Sequence, residues 1–331
     1  MCMGPLACCL LLVCCFAVSS ARPVPAGEGL GFGLIATASP NVLRSQWQPL
    51  LGDMAAAIGV PVTARLFDDY AGVIWAMAAG HVQVAWLGNK SAIEAVDRAG
   101  AEVAFQAVEA DGRTEYNAVL LARSDSGLRT VEDVFARAGE LTYGDGDSNS
   151  TSGHVIPGHY LFAPRRVEAR AVFRRVVQNN HEANFLGVAE GRLDVATGNT
   201  INLAGSMARH PEAGRAVAVI WTSPPIPSDP LVWRTDLDKT RQKAIRSFLL
   251  DYGRETPGKT PQRLAHEQAV LEGMNRAGFR TSDNRQLISV RRIELTRQRN
   301  RILADAGLSP DERQRRLAAV DAGLRGLPAA D

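Results

Sequence analysis

Ser150, Thr151, Ser152 and Gly153 follow one another in LTYGDGDSNSTSGHVIPGHYLF, residues 141–162. The run lies between an apolar segment that reads as a strand and one that reads as a helix. Three hydroxyls beside the free N–H groups of a helix start offer hydrogen-bond donors to an anion, and the positive end of the helix dipole favours the same charge. A tetrahedral oxyanion suits such a cluster. One hydroxyl suffices to cap a helix, so plain capping is the competing reading of the same residues.

Other chemistries fit this stretch poorly. GDGDSNSTSG lacks the lysine and the spacing of a nucleotide-binding P-loop. Counted from Asp145 as a calcium loop, it has Ser150 where the glycine should be and Ile156 where the bidentate glutamate should be. His154, His159 and His181 could serve Ser150 or Ser152 as bases. Neither serine stands in a GxSxG elbow, however, and no nucleophile, base and acid share a recognisable spacing. A hydrolase is the weaker reading.

The elements that must hold this loop alternate short apolar runs with longer periodic ones, the pattern of βαβ units and mainly parallel sheets. GLGFGLIATA is the first strand. Ser39 and Pro40 open a helix as cap and first-turn proline, and Gly59 closes it. VPVTARLF, VQVAWLG, LTYGDG, AVFRRVVQ, LDVATGN and AVAVIW are further strands; YAGVIWAMAAG, KSAIEAVDRAG, TVEDVFARAG, HEANFLGVAEG and TINLAGSMA are helices. YNAVLLA and the proline cluster TSPPIPSDP read as outward and return crossings between two lobes. The lobes predicted are 29–117 with 226–285, and 118–225. Residues 286–331 are rich in Arg and Gln and read as a helical extension packed on the outside. In it, Ser309, Pro310 and Glu312 make the cap, first-turn proline and box of a helix start.

Composition narrows the partner. With 331 residues, 46% of them apolar, the chain can bury cores for about two domains, and a net charge of +2 favours neither nucleic acid nor an anionic membrane surface. Cys2, Cys8, Cys9, Cys14 and Cys15 all fall in the first fifteen residues, so the rest of the chain can form no disulfide. That segment holds an apolar run, Leu6 to Val18, followed by AVSSA. Residues 1–21 are therefore expected to be a signal peptide cut near Ser19 or Ala21, although no basic residue precedes the run. The run is too short to span a bilayer. The residues before the candidate cysteines do not make a lipobox, so a soluble exported form is expected over a lipid-anchored one.

Five dispersed segments, DDYAGVIWAM, VAWLGNKSAIEAVDRA, GDGDSNSTSG, HEANFLGVAEGRLDVATGNT and SPPIPSDPLVWR, occur here in an order and spacing that resembles the periplasmic phosphonate-binding proteins of ABC uptake systems, the PhnD type. The resemblance implies an α/β type II periplasmic binding fold, with a ligand held between the lobes and the two crossings as the hinge. It implies that Ser150, Thr151 and Ser152 bind the phosphonate oxygens, and that Tyr116 and His181 line the same pocket. In relatives that take aminoalkyl phosphonates, an ammonium is held by a tyrosine in DYAG, an aspartate after the proline cluster and a glutamate in NTEN. Here these positions hold Tyr70, Asp229 and Ile201. Leu87 stands where such relatives can carry a tyrosine. Taken without the resemblance, Tyr70 could be a core aromatic, Asp229 a turn residue and His181 a helix cap, while Trp86 and Trp233 read as core.

The expected function is therefore an exported solute-binding protein that captures a phosphonate, delivers it to an ABC permease in the inner membrane and does no chemistry. No cofactor, metal or nucleic acid is called for, and a homo-dimer through the C-terminal helices is expected. Loss of the glutamate shifts the expected tail preference from aminoalkyl towards less charged phosphonates. The alternatives are a receptor for phosphite, phosphate or sulfate on the same fold, a sensor ectodomain and an extracytoplasmic hydrolase.

Overall fold

The structure, a computed structural model, describes residues 29–328. The predicted signal peptide lies outside the described residues. Two helix-flanked sheets make two lobes. The larger sheet takes strands β1 (Leu30–Leu34), β2 (Val62–Leu66), β3 (Val84–Trp86) and β4 (Ala101–Glu109) from the first part of the chain. The chain then passes through β5 (Glu115–Tyr116) to the smaller sheet, made of β6 (Ala118–Arg123), β7 (Thr142–Asp145), β8 (Arg175–Gln178), β9 (Val195–Asn199) and β10 (Val217–Thr222). It returns through β11 (Ile226–Pro227) and adds β12 (Pro230–Arg234) and β13 (Arg276–Thr281) to the first sheet. Strand orders are β13-β4-β12-β3-β1-β2 and β10-β6-β9-β7-β8.

The predicted crossings pair with each other. β5 and β11 form an antiparallel ribbon in which Tyr116 faces Ile226 and Glu115 faces Pro227. Both sheets are mixed rather than mainly parallel, and the crossings explain why. β12 arrives from the other lobe and inserts antiparallel between β3 and β4, while β6 leaves the ribbon antiparallel to β9 and β10. The βαβ pairs themselves, β1 with β2 and β3, and β7 with β8 and β9, are parallel.

The run AVLLA in β6 is continuously apolar because both of its faces are covered. Leu120 and Ala122 join the cluster around Tyr143, Phe162 and Phe173, whereas Val119 and Leu121 pack with Phe185 and Val188 on the opposite face. Strand alternation sorts the residues between the two. In the larger lobe one cluster joins β1, β3 and β12 to the helix Pro40–Ile58 through Phe32, Leu50, Leu51 and Trp233.

Capping follows the sequence only in part. Gly59 ends its helix in the left-handed conformation at φ 73°, and Thr130 forms a full capping box with Asp133. Ser39 sits at an N-cap, but its side chain makes no capping bond; its N–H donates instead to Glu182 in the other lobe. The box at Ser309 is half formed, because the Glu312 carboxylate turns to Arg315 and Arg316. The two C-terminal helices, Ile288–Ala304 and Pro310–Arg325, pack on each other, and the first also lies against both lobes.

Candidate functional site

The serine-rich loop follows β7 and opens a helical segment whose first turn, Thr151–Val155, and later turn, Gly158–Phe162, are wider than α-helical. Pro157 between them has no N–H to give the preceding turn, and π turns of this kind are frequent at functional sites. All three hydroxyl residues are buried, each at 2–3% exposure. Each hydroxyl oxygen accepts one N–H: Ser150 from the Gly153 amide at 3.0 Å, Thr151 from the Lys90 amide at 2.8 Å, and Ser152 from the Asn199 side chain at 3.0 Å. With a lone pair so engaged, each O–H proton is directed elsewhere. The hydroxyl of Ser150 lies beside that of Tyr70, and the hydroxyl of Ser152 beside that of Tyr116.

The Lys90 contact crosses the cleft. It belongs to the first turn of the helix Asn89–Arg98, whose cap, Gly88, supplies no side chain. A Cβ on Gly88 would lie 3.2 Å from Thr151 Oγ1 and 3.9 Å from Asp229 Oδ1, so glycine lets both approach the bare helix start. Other helix starts converge on the same place. Tyr70 begins the helix Tyr70–Ala78, His181 the helix His181–Ala189 and Thr200 the helix Thr200–Arg209. Several positive dipole ends therefore face one cleft.

The structure brings the predicted residues together. The Tyr70 hydroxyl lies beside Ser150, and that of Tyr116 beside Ser152 and Asp229. Burial, reinforced by the charge of Asp229, raises the pKa of both phenols, so they stay neutral donors. His181 is lowered to about 4 by burial and is a neutral imidazole at pH 7. Its Nε2 lies 3.2 Å from the Asn199 amide, and that amide, not the imidazole, reaches Ser152. A serine and histidine set for nucleophilic attack is not what this geometry presents. Asp229 is raised to about 7 by burial, against the opposing pull of Arg276 and with the added push of Glu109. Ile201 lines a small cavity next to Tyr116, Asn199 and Asp229. Leu87 is fully enclosed and does not line that cavity.

Sequence reading missed several of the cavity's residues. Asn199 caps its helix through Oδ1 while its amide ties Ser152 to His181; its place as the first residue of NTIN was the available signal. Trp86, read as core, is buried but also lines the cavity, and its Nε1 makes no hydrogen bond among the described residues. Trp233 is core as read, with its indole N–H on Glu102 at 2.7 Å. Glu109, Trp47 and Arg276 line the cavity from segments that carry no motif.

Residues 32–287, most of the chain, match the family described as ABC transporter, phosphonate, periplasmic substrate-binding protein. The chain belongs to this family. A relative, the phosphonates-binding periplasmic protein of Escherichia coli K12, is 41% identical over 300 residues, which cover 91% of this chain and 86% of that protein. Among solved structures, a binding protein component of an ABC phosphonate transporter from Pseudomonas aeruginosa is 40% identical with a TM-score of 0.84, over 90% of this chain and 96% of that one. PhnD1 of Prochlorococcus marinus, solved with methylphosphonate, superposes with a TM-score of 0.70 over 82% of this chain and 99% of that one; at 18% identity it speaks for the fold alone. As a family member, the chain is the periplasmic phosphonate-binding component of an ABC transporter. Receptors for phosphite, phosphate or sulfate, and hydrolases, are not favoured by these relatives.

Proposed function

We propose that Ser150, Thr151 and Ser152 hold the phosphonate oxygens, that Tyr70, Tyr116 and His181 line the pocket, and that Asp229 and Ile201 face the organic tail. The chain then delivers the ligand unchanged to its permease. The observation that carries this reading is that three consecutive buried hydroxyls each have an N–H on their oxygen, which leaves three protons to give to one anion. The lobe boundaries that go with it are 29–117 with 226–285, and 118–225, supported by the membership of the two sheets. A soluble periplasmic form belongs to the same reading. A dimer through the C-terminal helices would use the face on which Leu303 is exposed, and sedimentation reads it directly.

Calorimetry of the mature protein against aminoethylphosphonate, methylphosphonate, phosphite, phosphate and sulfate is the test. Phosphonates are expected to bind and sulfate to fail; a preference for phosphate or sulfate over every phosphonate would overturn the assignment. Ile201 in place of a glutamate gives the tail methylene contact without charge, so short alkyl phosphonates are expected within about tenfold of aminoethylphosphonate. Ile201→Glu should raise affinity for the amino ligand and lower it for the alkyl one, because a buried carboxylate needs a cation. A thousandfold amino preference in the wild type, unmoved by this change, would remove Ile201 from the tail pocket.

A further inference from the structure

The cavity beside the hydroxyl cluster holds one cation and two acids that do not pair. Arg276 and Glu109 are direct cross-strand partners of β13 and β4, both buried, at 7% and 4% exposure. No ion pair joins them. Arg276 Nη1, Glu109 Oε2 and Asp229 Oδ1 are each enclosed without a hydrogen-bond partner, although the Tyr116 hydroxyl and the Trp86 indole lie beside the Asp229 carboxylate, and all three residues line the same cavity. Opposite charges set across from each other in a low-dielectric interior ordinarily close on each other. Here they are held apart.

The backbone shows what holds them. The helix Pro261–Gly273 ends at Met274, and Asn275 follows in the left-handed conformation at φ 56°, which turns the chain so that β13 opens on Arg276. The register then slips by a bulge between Arg276 and Gly278. The guanidinium lies over two indoles, 5.8 Å from the Trp47 ring and 5.3 Å from the Trp86 ring, a cation–π seat that fixes its position. A device made to neutralise Glu109 or Asp229 would have placed the guanidinium on the carboxylate.

We propose that the physiological ligand is a phosphonate whose tail carries both a carboxylate and an ammonium, an amino-acid phosphonate, with the carboxylate on Arg276 and the ammonium between Glu109 and Asp229. This rests on the hydroxyl cluster holding the phosphonate group and adds the class of tail. An unpartnered guanidinium N–H requires an acceptor, and two unpartnered carboxylate oxygens require donors. A tail with an ammonium alone leaves the first unmet, and an alkyl tail leaves all of them unmet. A planar guanidinium matches a carboxylate fork for fork, which a lysine would not.

Four ligands separate the contributions: ethylphosphonate, aminoethylphosphonate, 2-carboxyethylphosphonate and 2-amino-3-phosphonopropionate. Calorimetry is expected to rank the last at least tenfold tighter than each of the others. Arg276→Met, which keeps an apolar stem on the indoles, should abolish the gain due to the carboxylate, so that 2-amino-3-phosphonopropionate binds no tighter than aminoethylphosphonate and 2-carboxyethylphosphonate no tighter than ethylphosphonate. Circular dichroism and thermal unfolding show whether the variant is folded, and Arg276→Lys, which keeps the charge, should restore part of the gain. If the wild type binds ethylphosphonate but gains nothing from the carboxylate, or if Arg276→Met weakens all four ligands alike, the tail assignment is wrong while the phosphonate site stands. Failure of all four on the wild type would instead remove the phosphonate site itself.

Discussion

Thr151 and Ser152 stand out in the sequence because three adjacent hydroxyls exceed what a helix cap requires. Replacing both by alanine should weaken phosphonate binding by about 1 to 3 kcal/mol for each lost hydrogen bond to charge. Calorimetry checks it, and an affinity equal to the wild type would exclude the hydroxyls from the anion site. Asp229 makes a second prediction. Raised to about 7 from an ordinary 3.8, it holds its proton more tightly in the folded chain than in the unfolded one, so its contribution to stability falls as pH rises from about 4 to about 7. His181, lowered from 6.5 to about 4, acts in the opposite sense: its contribution rises as pH rises through that window. An ammonium on the ligand favours the charged aspartate. The preference for aminoethylphosphonate over ethylphosphonate, corrected for the ligands' own ionisation, should therefore grow by up to about thirtyfold from pH 5.5 to pH 8. In Asp229→Asn the slope should vanish; a slope that survives there belongs to another group. Arg276 and Glu109 escaped sequence reading because each is an ordinary strand residue, and the cross-strand register that sets them face to face is a tertiary fact.

Elements were legible where local chemistry determines them. Strands β1, β2, β3, β7, β8, β9 and β10, the Gly59 stop and the Thr130 cap follow from apolar runs and capping residues, whereas β4, β12 and β13 were not read as strands and β6 was read as a crossing. What local pattern could not give was strand direction, since a buried antiparallel return strand such as β12 reads as the same apolar run as a parallel one. Nor could it give the wide turns after Ser150. Their tolerance is tight: a Cβ on Gly153 would stand 2.7 Å from Ser150 Oγ and 3.0 Å from the Gly146 Cα, and one on Gly146 would meet the Gly153 Cα at 2.6 Å. The loop and the helix start touch backbone to backbone. Gly153→Ala should thus cost about 1 to 3 kcal/mol of stability and also displace Ser150 from its cap. Urea denaturation and calorimetry read the two effects separately, and a variant with wild-type stability and affinity would show that the contact relaxes freely.

The whole molecule is in a closed arrangement, because hydrogen bonds cross the cleft on several elements at once. Lys90 N–H donates to Thr151, Tyr70 N–H to Asp147 at 3.2 Å, Ser39 N–H to the Glu182 carboxylate at 2.9 Å, and Glu182 N–H to the Thr37 carbonyl. All four involve the first residue or first turn of a helix that faces the cleft, so the groups that would meet the ligand are also those that meet each other. The ribbon of β5 and β11 connects the lobes. The helix Ile288–Ala304 bridges them from outside, with Arg291 on Asp97 of the larger lobe and the Arg297 guanidinium packed on Gly158 of the smaller, where a Cβ would have to push it aside. A ligand favours closure only by touching both sides. Small-angle scattering should therefore show the radius of gyration fall when a saturating phosphonate is added. Glu182→Ala tests the same equilibrium away from the anion, since it removes the carboxylate that holds Ser39 across the cleft and Arg209 at 2.8 Å. A hydrogen bond to charge is worth about 1.5 to 3 kcal/mol, so losing one made in the closed form should weaken binding by roughly tenfold or more. The variant should nevertheless reach the same compact form at saturating ligand. A radius of gyration that does not respond to ligand in either protein would mean that the lobes do not close about this ribbon.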